Sequence, residues 1–413
     1  LQWYSLHMDS HPLARTRGAL ALTGAAVDHL AARAHELHRA ISDIPFKVLK
    51  PLPAVNLGSE STRVLHDGVT DGIYRAVRLT SQALFKAAEV LLKQRQRSSA
   101  AALPAPQKAS FALSAVSGFV GDYMARTRNP LAIRLGFYQG GERLTLKPES
   151  LRMALPQAGP RIAVFIHGLC GNEDTWQMYA DVQQRPYAER LAADLGYTPL
   201  HVRYNSGLHI SHNGLSLARQ LNKLLAAYPG RIEEISFIGH SMGGLIARAA
   251  CARGHQQNAA WTTKVKHVIC LGAPHRGSPL EKFVHNTTQV MAHIPLARPL
   301  VNLLNVRARG ISDLRFGFTA DADWRGRDPV TQYDGYLTPI ERLPQAHYHF
   351  LGATISGSAD SAWSQKVGDG LVHLPSSTAH ELADADTAVL FNTHHMRLLN
   401  HPVIYQQIKQ RLL

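Results

Sequence analysis

Apolar positions along the first third of the chain recur at helical spacing. Leu20, Gly24, Val27, Leu30, Ala34, Leu37, Ile41 and Ile44 step by three and four residues, which predicts a long helix with one apolar face. Val69, Ile73, Val77, Thr80, Leu84, Ala87 and Leu91 repeat the pattern, with Arg75, Arg78, Lys86 and Lys93 around the remaining surface. Ser, Pro and charged residues in QRQRSSAAALPAPQKA, residues 94–109, mark an exposed linker before a further helix at 110–126.

Beyond that point the period changes. LAIRLGFYQGGERLTL (131–146) reads as two strands about a Gly-Gly turn. Short β-branched runs then alternate with helical stretches: RIAVFIH (161–167), TPLHVRY (198–204), EISFIGH (234–240), KHVICLG (266–272) and HYHFLGA (347–353). Continuous apolar strands of this kind predict a mostly parallel sheet covered by helices on both faces. In such sheets the chemistry lies beyond the carboxyl ends of the strands.

The third of these strands runs directly into Gly239-His240-Ser241-Met242-Gly243-Gly244, and a helix-forming segment, LIARAACAR, follows. A serine hydroxyl becomes a useful nucleophile when it projects clear of the sheet and a base takes its proton. A sharp strand-to-helix bend achieves the first condition, and its crowding requires glycine two positions before and two after the serine. Ser241 is therefore the candidate nucleophile. The oxyanion that forms on attack needs N–H donors fixed in place. Two are in view. One is the N–H of Met242, at the start of the helix after the serine; the other is that of Leu169, in the loop His167-Gly168-Leu169-Cys170-Gly171 after RIAVFIH. Cys170 beside it reads as a small packed thiol, not a second nucleophile.

These segments resemble the α/β-hydrolase superfamily, and within it a bacterial lipase/esterase branch similar to GPI inositol-deacylase-like proteins. HGLCGNEDTW, YNSGLHIS, GHSMGGLIAR, LGAPHRGSPLE, DLRFG with DADWRGRD, GDGLV and HHMRLLNHPVIY carry the resemblance, in that order, across about residues 131–413. The resemblance implies an α/β fold and a triad ordered Ser, Asp or Glu after a late strand, then His near the end. Asp369, in a glycine-flanked loop after HYHFLGA, is the expected acid, with Asp360 second; Asp384 and Asp386 read as an exposed acidic turn. In the resembling family the base stands just before an H-x-x-L-L run, which selects His395 over His394. His401, before Pro402, reads as structural, and His240 as a residue that could line the cleft. A metal and a cofactor are not required.

Seventy residues between KHVICLG and HYHFLGA, about 275–345, exceed a simple connection and predict a cap or lid insertion. Within it FVHNTTQVMAHIPLARPLVNLL (283–304) could form an apolar wall suited to acyl chains. The domain reading is thus 1–130 as a helical N-terminal extension and 131–413 as an α/β-hydrolase catalytic domain.

Composition adjusts this picture only in places. Hydrophobic residues make up 45% of the 413 and charged ones 18%, as in a globular chain with a substantial core. Formal charge is +14. Residues 1–130 hold 16 basic and 9 acidic side chains, a net +7 that equals the excess over the remaining 283. That front end is compatible with peripheral association with an anionic membrane, whereas no aromatic-interleaved basic cluster points to nucleic acid. Three cysteines, Cys170, Cys251 and Cys270, lack metal-ligand spacing and favour a reducing, cytoplasmic setting over a disulfide framework. HPLARTRGALALTGAAV (11–27) has some signal-peptide character, but its helical period continues past any cleavage point, so secretion stays open without being favoured. The first residue is Leu, and Met8 is a candidate start.

The expected activity is that of a serine esterase or lipase on hydrophobic or lipid esters. A polyester-cleaving or acyl-transferring enzyme would use the same residues. A non-catalytic protein that binds lipid surfaces is the rival from another class, and the intact Ser, Asp and His argue against it.

Overall fold

A computed structural model describes residues 107–126, 132–180, 185–278, 309–326, 337–379 and 386–413, together with four helical positions between 79 and 86. The apolar stripes expected at 20–44 and 69–91, most of the linker and the apolar wall at 283–304 lie outside the described residues. The chain divides into two compact units, Leu1–Val116 and Ser117–Leu413, and the sheet belongs wholly to the second. Helix α1 (Gln107–Arg126) begins three residues earlier than its sequence pattern suggested.

Eight strands form one sheet: β1 (Gly136–Gln139), β2 (Glu142–Arg143), β3 (Arg161–Ile166), β4 (Thr198–Arg203), β5 (Glu234–His240), β6 (Val265–Leu271), β7 (His347–Ala353) and β8 (Asp386–Leu390). Their order is β2-β1-β4-β3-β5-β6-β7-β8. From β4 to β8 all neighbours pair in parallel, whereas β1 runs antiparallel to both β2 and β4. The opening hairpin turns through Gly140 and Gly141, whose φ values of 56° and 81° suit the tight two-residue turn that joins twisted strands.

The central strands β3 and β5 are largely apolar because both of their faces are covered. Ile162, Val164 and Ile166 of β3 point to one side, where they meet Leu200, Val202 and Phe237 beneath helices α3 (Ile210–Ala227) and α4 (Met242–Gln256). Ala163 and Phe165 point to the other, with Ile238, Ile269, Leu271 and Leu351, beneath α2 (Tyr187–Leu195) and the C-terminal helix α6 (Pro402–Leu412). This alternation is the two-residue period of a strand seen from both sides. Helices α3 and α4 pack closely at Gly214, where a Cβ would sit 2.7 Å from that of Ala249.

Strand β8 corrects one sequence reading. Asp386 was expected in an exposed acidic turn, yet it opens this edge strand, where its carboxylate accepts from His349 Nδ1 at 2.8 Å and from Arg411 at 2.6 and 2.8 Å. As an edge strand β8 is only half covered: Asp386 and Thr387 are exposed and the rest half-buried, so its apolar run is shorter than those of the central strands.

After β3 the chain goes to one side of the sheet, to β4, and then returns to place β5 on the other. The crevice between the carboxyl ends of β3 and β5 is therefore the topological switch point, the position at which open α/β sheets bind ligands.

Candidate active site

Ser241 stands at that switch point. It follows β5 directly with φ 55° and ψ −124°, and then α4 begins. A non-glycine residue in this region costs on the order of 1–3 kcal/mol and persists only where its surroundings hold it. The hold is visible: Ser241 N–H donates to Leu271 O of β6 at 2.8 Å, and Ser241 O accepts from Gly244 N at 3.0 Å. The flanking glycines are forced by space. A Cβ on Gly239 would lie 2.4 Å from Gly244 N, and one on Gly243 would lie 2.1 Å from Ile166 O.

Asp369 occupies a tight loop between Gly368 and Gly370, both at positive φ. Only 1% of its surface is exposed. Its Oδ1 accepts from the N–H groups of Leu371 (3.0 Å) and Val372 (2.8 Å), which fixes the carboxylate plane and leaves Oδ2 for an imidazole. That imidazole is His395, whose Nδ1 lies 2.7 Å away. The ring of His395 also borders Gly272, where a Cβ would be 3.1 Å from both Nδ1 and Cε1. Gly272 follows Leu271, the residue that accepts from Ser241 N–H. Nucleophile, base and acid candidates thus gather at the carboxyl end of the sheet.

The alternatives stand elsewhere. His394 is exposed, with its ring edge-on to Tyr179 at 6.4 Å. Asp360 is exposed, and Asp386 lies at the amino end of β8. His401 caps α6 by accepting from Val403 N at 3.3 Å.

The loop after β3 touches Ser241: a Cβ on Gly168 would sit 3.1 Å from Ser241 Cβ. Within that loop Cys170 N–H donates to Ser206 Oγ (3.1 Å), and Gly171 N–H to Gly168 O (3.3 Å). His167 Nδ1 donates to Gly168 O at 2.8 Å, its ring stacks on Tyr204 at 4.2 Å, and Tyr204 Oη donates to His167 O at 2.8 Å. Burial drives the His167 pKa down to about 3, so the ring is neutral. Burial also pushes the Cys170 thiol up to about 12, which suits a packed thiol.

Sequence reasoning missed the supports of this loop. Arg203, at the end of β4, pairs with buried Glu173 (Nε to Oε2, 2.7 Å) and lies over the Tyr138 ring. His240, which the sequence offered as a residue that could line the cleft, is 2% exposed, with its ring 4.7 Å from that of His395 and its Nε2 donating to His395 O at 3.3 Å. Burial, and the neighbouring His395, keep His240 far below the usual imidazole range. No spacing rule connects Arg203 to Glu173 or His240 to His395, because each pair is joined only by the fold.

Among the described residues no group of three or more His, Cys, Asp or Glu is disposed to hold a metal, and no helix is long and apolar enough to cross a membrane.

Residues 158–348 match the family model described as PGAP1-like alpha/beta domain. Among solved structures the chain is similar to MenH from S. aureus (12% identity, 68% of this chain and 97% of that chain, TM-score 0.34). It is also similar to carboxylesterase CesB (YbfK) from Bacillus subtilis (11%, 72% and 98%, 0.35) and to the RedJ thioesterase from Streptomyces coelicolor (15%, 62% and 91%, 0.36). No curated protein matches.

Proposed function

We propose that this chain is a serine hydrolase of the α/β-hydrolase superfamily that cleaves hydrophobic carboxylic esters. The observation that carries the reading is the buried Asp369–His395 pair at 2.7 Å, at the same end of the sheet as a serine raised on a strained bend.

In this reading His395 Nε2 removes the proton from Ser241 Oγ as the oxygen attacks the ester carbonyl. Asp369 accepts the Nδ1–H, fixes the tautomer and stabilises the imidazolium. The N–H groups of Met242 and Leu169 receive the oxyanion. Met242 suits the role because the first N–H groups of a helix have no carbonyl partner within it. Leu169 suits it because its neighbours' N–H groups, on Cys170 and Gly171, are already engaged. His395 then protonates the departing alcohol, and an acyl-enzyme forms that water opens by the same steps in reverse. Acyl transfer and polyester cleavage differ only in the acceptor or the substrate.

We read residues 275–345 as a cap beside this cleft. Arg309–Phe316 (α5) packs on the loop after β4, which supports the reading: Gly310 N–H donates to Gly207 O at 3.1 Å, and buried Asp313 accepts from His209 Nδ1 (2.9 Å) and Ile210 N–H (2.7 Å).

Hydrolysis of short p-nitrophenyl esters by wild type and Ser241→Ala tests the proposal. The variant should lose roughly 10⁴ to 10⁶-fold in turnover; undiminished turnover would remove the proposal.

A further inference from the structure

The last turns of α1 precede the first strand of the sheet, yet they lie against the loop that touches Ser241. A Cβ on Gly118 would fall 2.3 Å from Cys170 Sγ and 3.4 Å from Cys170 Cα, so the helix backbone rests directly on this residue. Cys170 has φ 60°, an uncommon conformation for a side-chain-bearing residue that needs external support.

A second set of contacts joins the same helix to the loop after β4, which itself touches the Cys170 loop. Ser117 Oγ donates to Asn205 Oδ1 (2.8 Å), and Asn205 Nδ2 donates to Gly121 O (2.8 Å), so one buried amide grips the helix by two groups. Asn205 Oδ1 also accepts from Gly207 N (3.0 Å), and its carbonyl accepts from Asn213 Nδ2 (2.9 Å). A Cβ on Gly207 would be 2.3 Å from Ser117 O and 3.0 Å from Gly121 Cα, which brings the two backbones together. Between Asn205 and Gly207 stands Ser206, whose Oγ accepts from Cys170 N–H. The loop is therefore clamped at Cys170 twice, by Gly118 on the side chain and by the Asn205–Ser206–Gly207 bend on the N–H.

We propose that residues Ser117–Arg126 of α1 act as a positioning element that holds the Gly168–Gly171 loop, and with it the Leu169 N–H, in its oxyanion-binding orientation. The inference rests on the reading of Ser241 as nucleophile and names a further determinant of that site's rate. Donors to an oxyanion must be held within about 0.5 Å, and a misplacement of about 1 Å can cost on the order of 100-fold. A helix shifted by one added side chain would move the loop on that scale.

The test compares wild type, Gly118→Val, Gly118→Ala, Cys170→Ala and Gly118→Ala/Cys170→Ala, with rates expressed per active site titrated to completion by a fluorophosphonate. Gly118→Val should lower kcat roughly 10 to 100-fold with KM within about twofold. Gly118→Ala should fall less, and removal of Sγ in the double variant should restore the rate to that of Cys170→Ala. Amide exchange of a peptide spanning 168–171 should accelerate in Gly118→Val. An unchanged kcat in Gly118→Val, a loss that vanishes per titrated site, or unchanged exchange in the loop would each overturn the inference. Turnover indifferent to Ser241→Ala would instead sink the serine-hydrolase reading, while the exchange measurement would still decide whether the helix holds the loop.

Discussion

Asp369 holds His395 twice: its Oδ2 meets the imidazole Nδ1 at 2.7 Å, and its backbone carbonyl accepts the His395 N–H at 3.0 Å. Ring and main chain are thereby fixed by the same loop. In Asp369→Asn the amide keeps the shape but can present an N–H to Nδ1 and so favour the wrong tautomer. Turnover of a short ester should fall roughly 10³ to 10⁴-fold, with KM little changed. A steady-state comparison on one p-nitrophenyl ester checks this, and a loss under tenfold would count against the assigned role.

Adjacent histidines provide an internal control. His395 is buried against Asp369, whereas His394 is exposed beside Tyr179. His395→Ala should cost about as much as Ser241→Ala, because the members of such a unit fail together. His394→Ala should stay within about threefold of wild type in kcat/KM. Equal losses in the two variants would contradict the assignment of the base.

Arg203 and Glu173 form a pair whose separation leaves a carboxylate stranded, since Glu173 is only 6% exposed. Arg203→Met should therefore lower stability by about 3–5 kcal/mol. Arg203→Met/Glu173→Leu should recover much of the loss, because it removes the unpaired charge. Urea unfolding of the three proteins reads this directly.

Acid should destabilise the fold before it protonates most carboxylates. His167 and His201 titrate near 6.5 when unfolded, but burial depresses them to about 3 and about 4 in the folded protein. Between those values the unfolded chain binds more protons, so stability is fully present above pH 6.5 and declines as pH falls toward 4. The fully buried His167 alone contributes a slope of up to about 1.4 kcal/mol per pH unit. His201 Nε2 is buried with no hydrogen-bond partner in the described structure, and its ring stacks on Phe165 at 5.3 Å. His201→Phe should accordingly flatten the dependence. Urea midpoints at pH 7, 6 and 5 for wild type and this variant give the comparison.

The parts of the fold legible from the chain are those with a local signature. RIAVFIH and EISFIGH are buried on both faces and read as strands from their own residues, and the bend at Ser241 was marked by glycines that the geometry makes obligatory. Strand β8 escaped notice because, at the edge of the sheet, its apolar run is short and half-exposed. Asn205 escaped for a different reason. An asparagine in a loop looks like any turn residue, and its grip on Ser117 and Gly121 arises across a separation of more than 80 positions. Pairing the late carboxylate with the late imidazole required a resemblance to known proteins, since periodicity says nothing about which aspartate meets which histidine.

The order in which β5, the Asp369 loop and His395 occur along the chain has a bearing on biosynthesis. The raised hydroxyl follows β5, whereas the imidazole proposed to take its proton comes later in the chain, after β8 has formed the far edge of the sheet. On the proposed reading, a ribosome-bound or prematurely cleaved fragment that stops before His395 would carry the bend without the imidazole to activate it, so competence toward an ester would appear only once that segment has joined the fold.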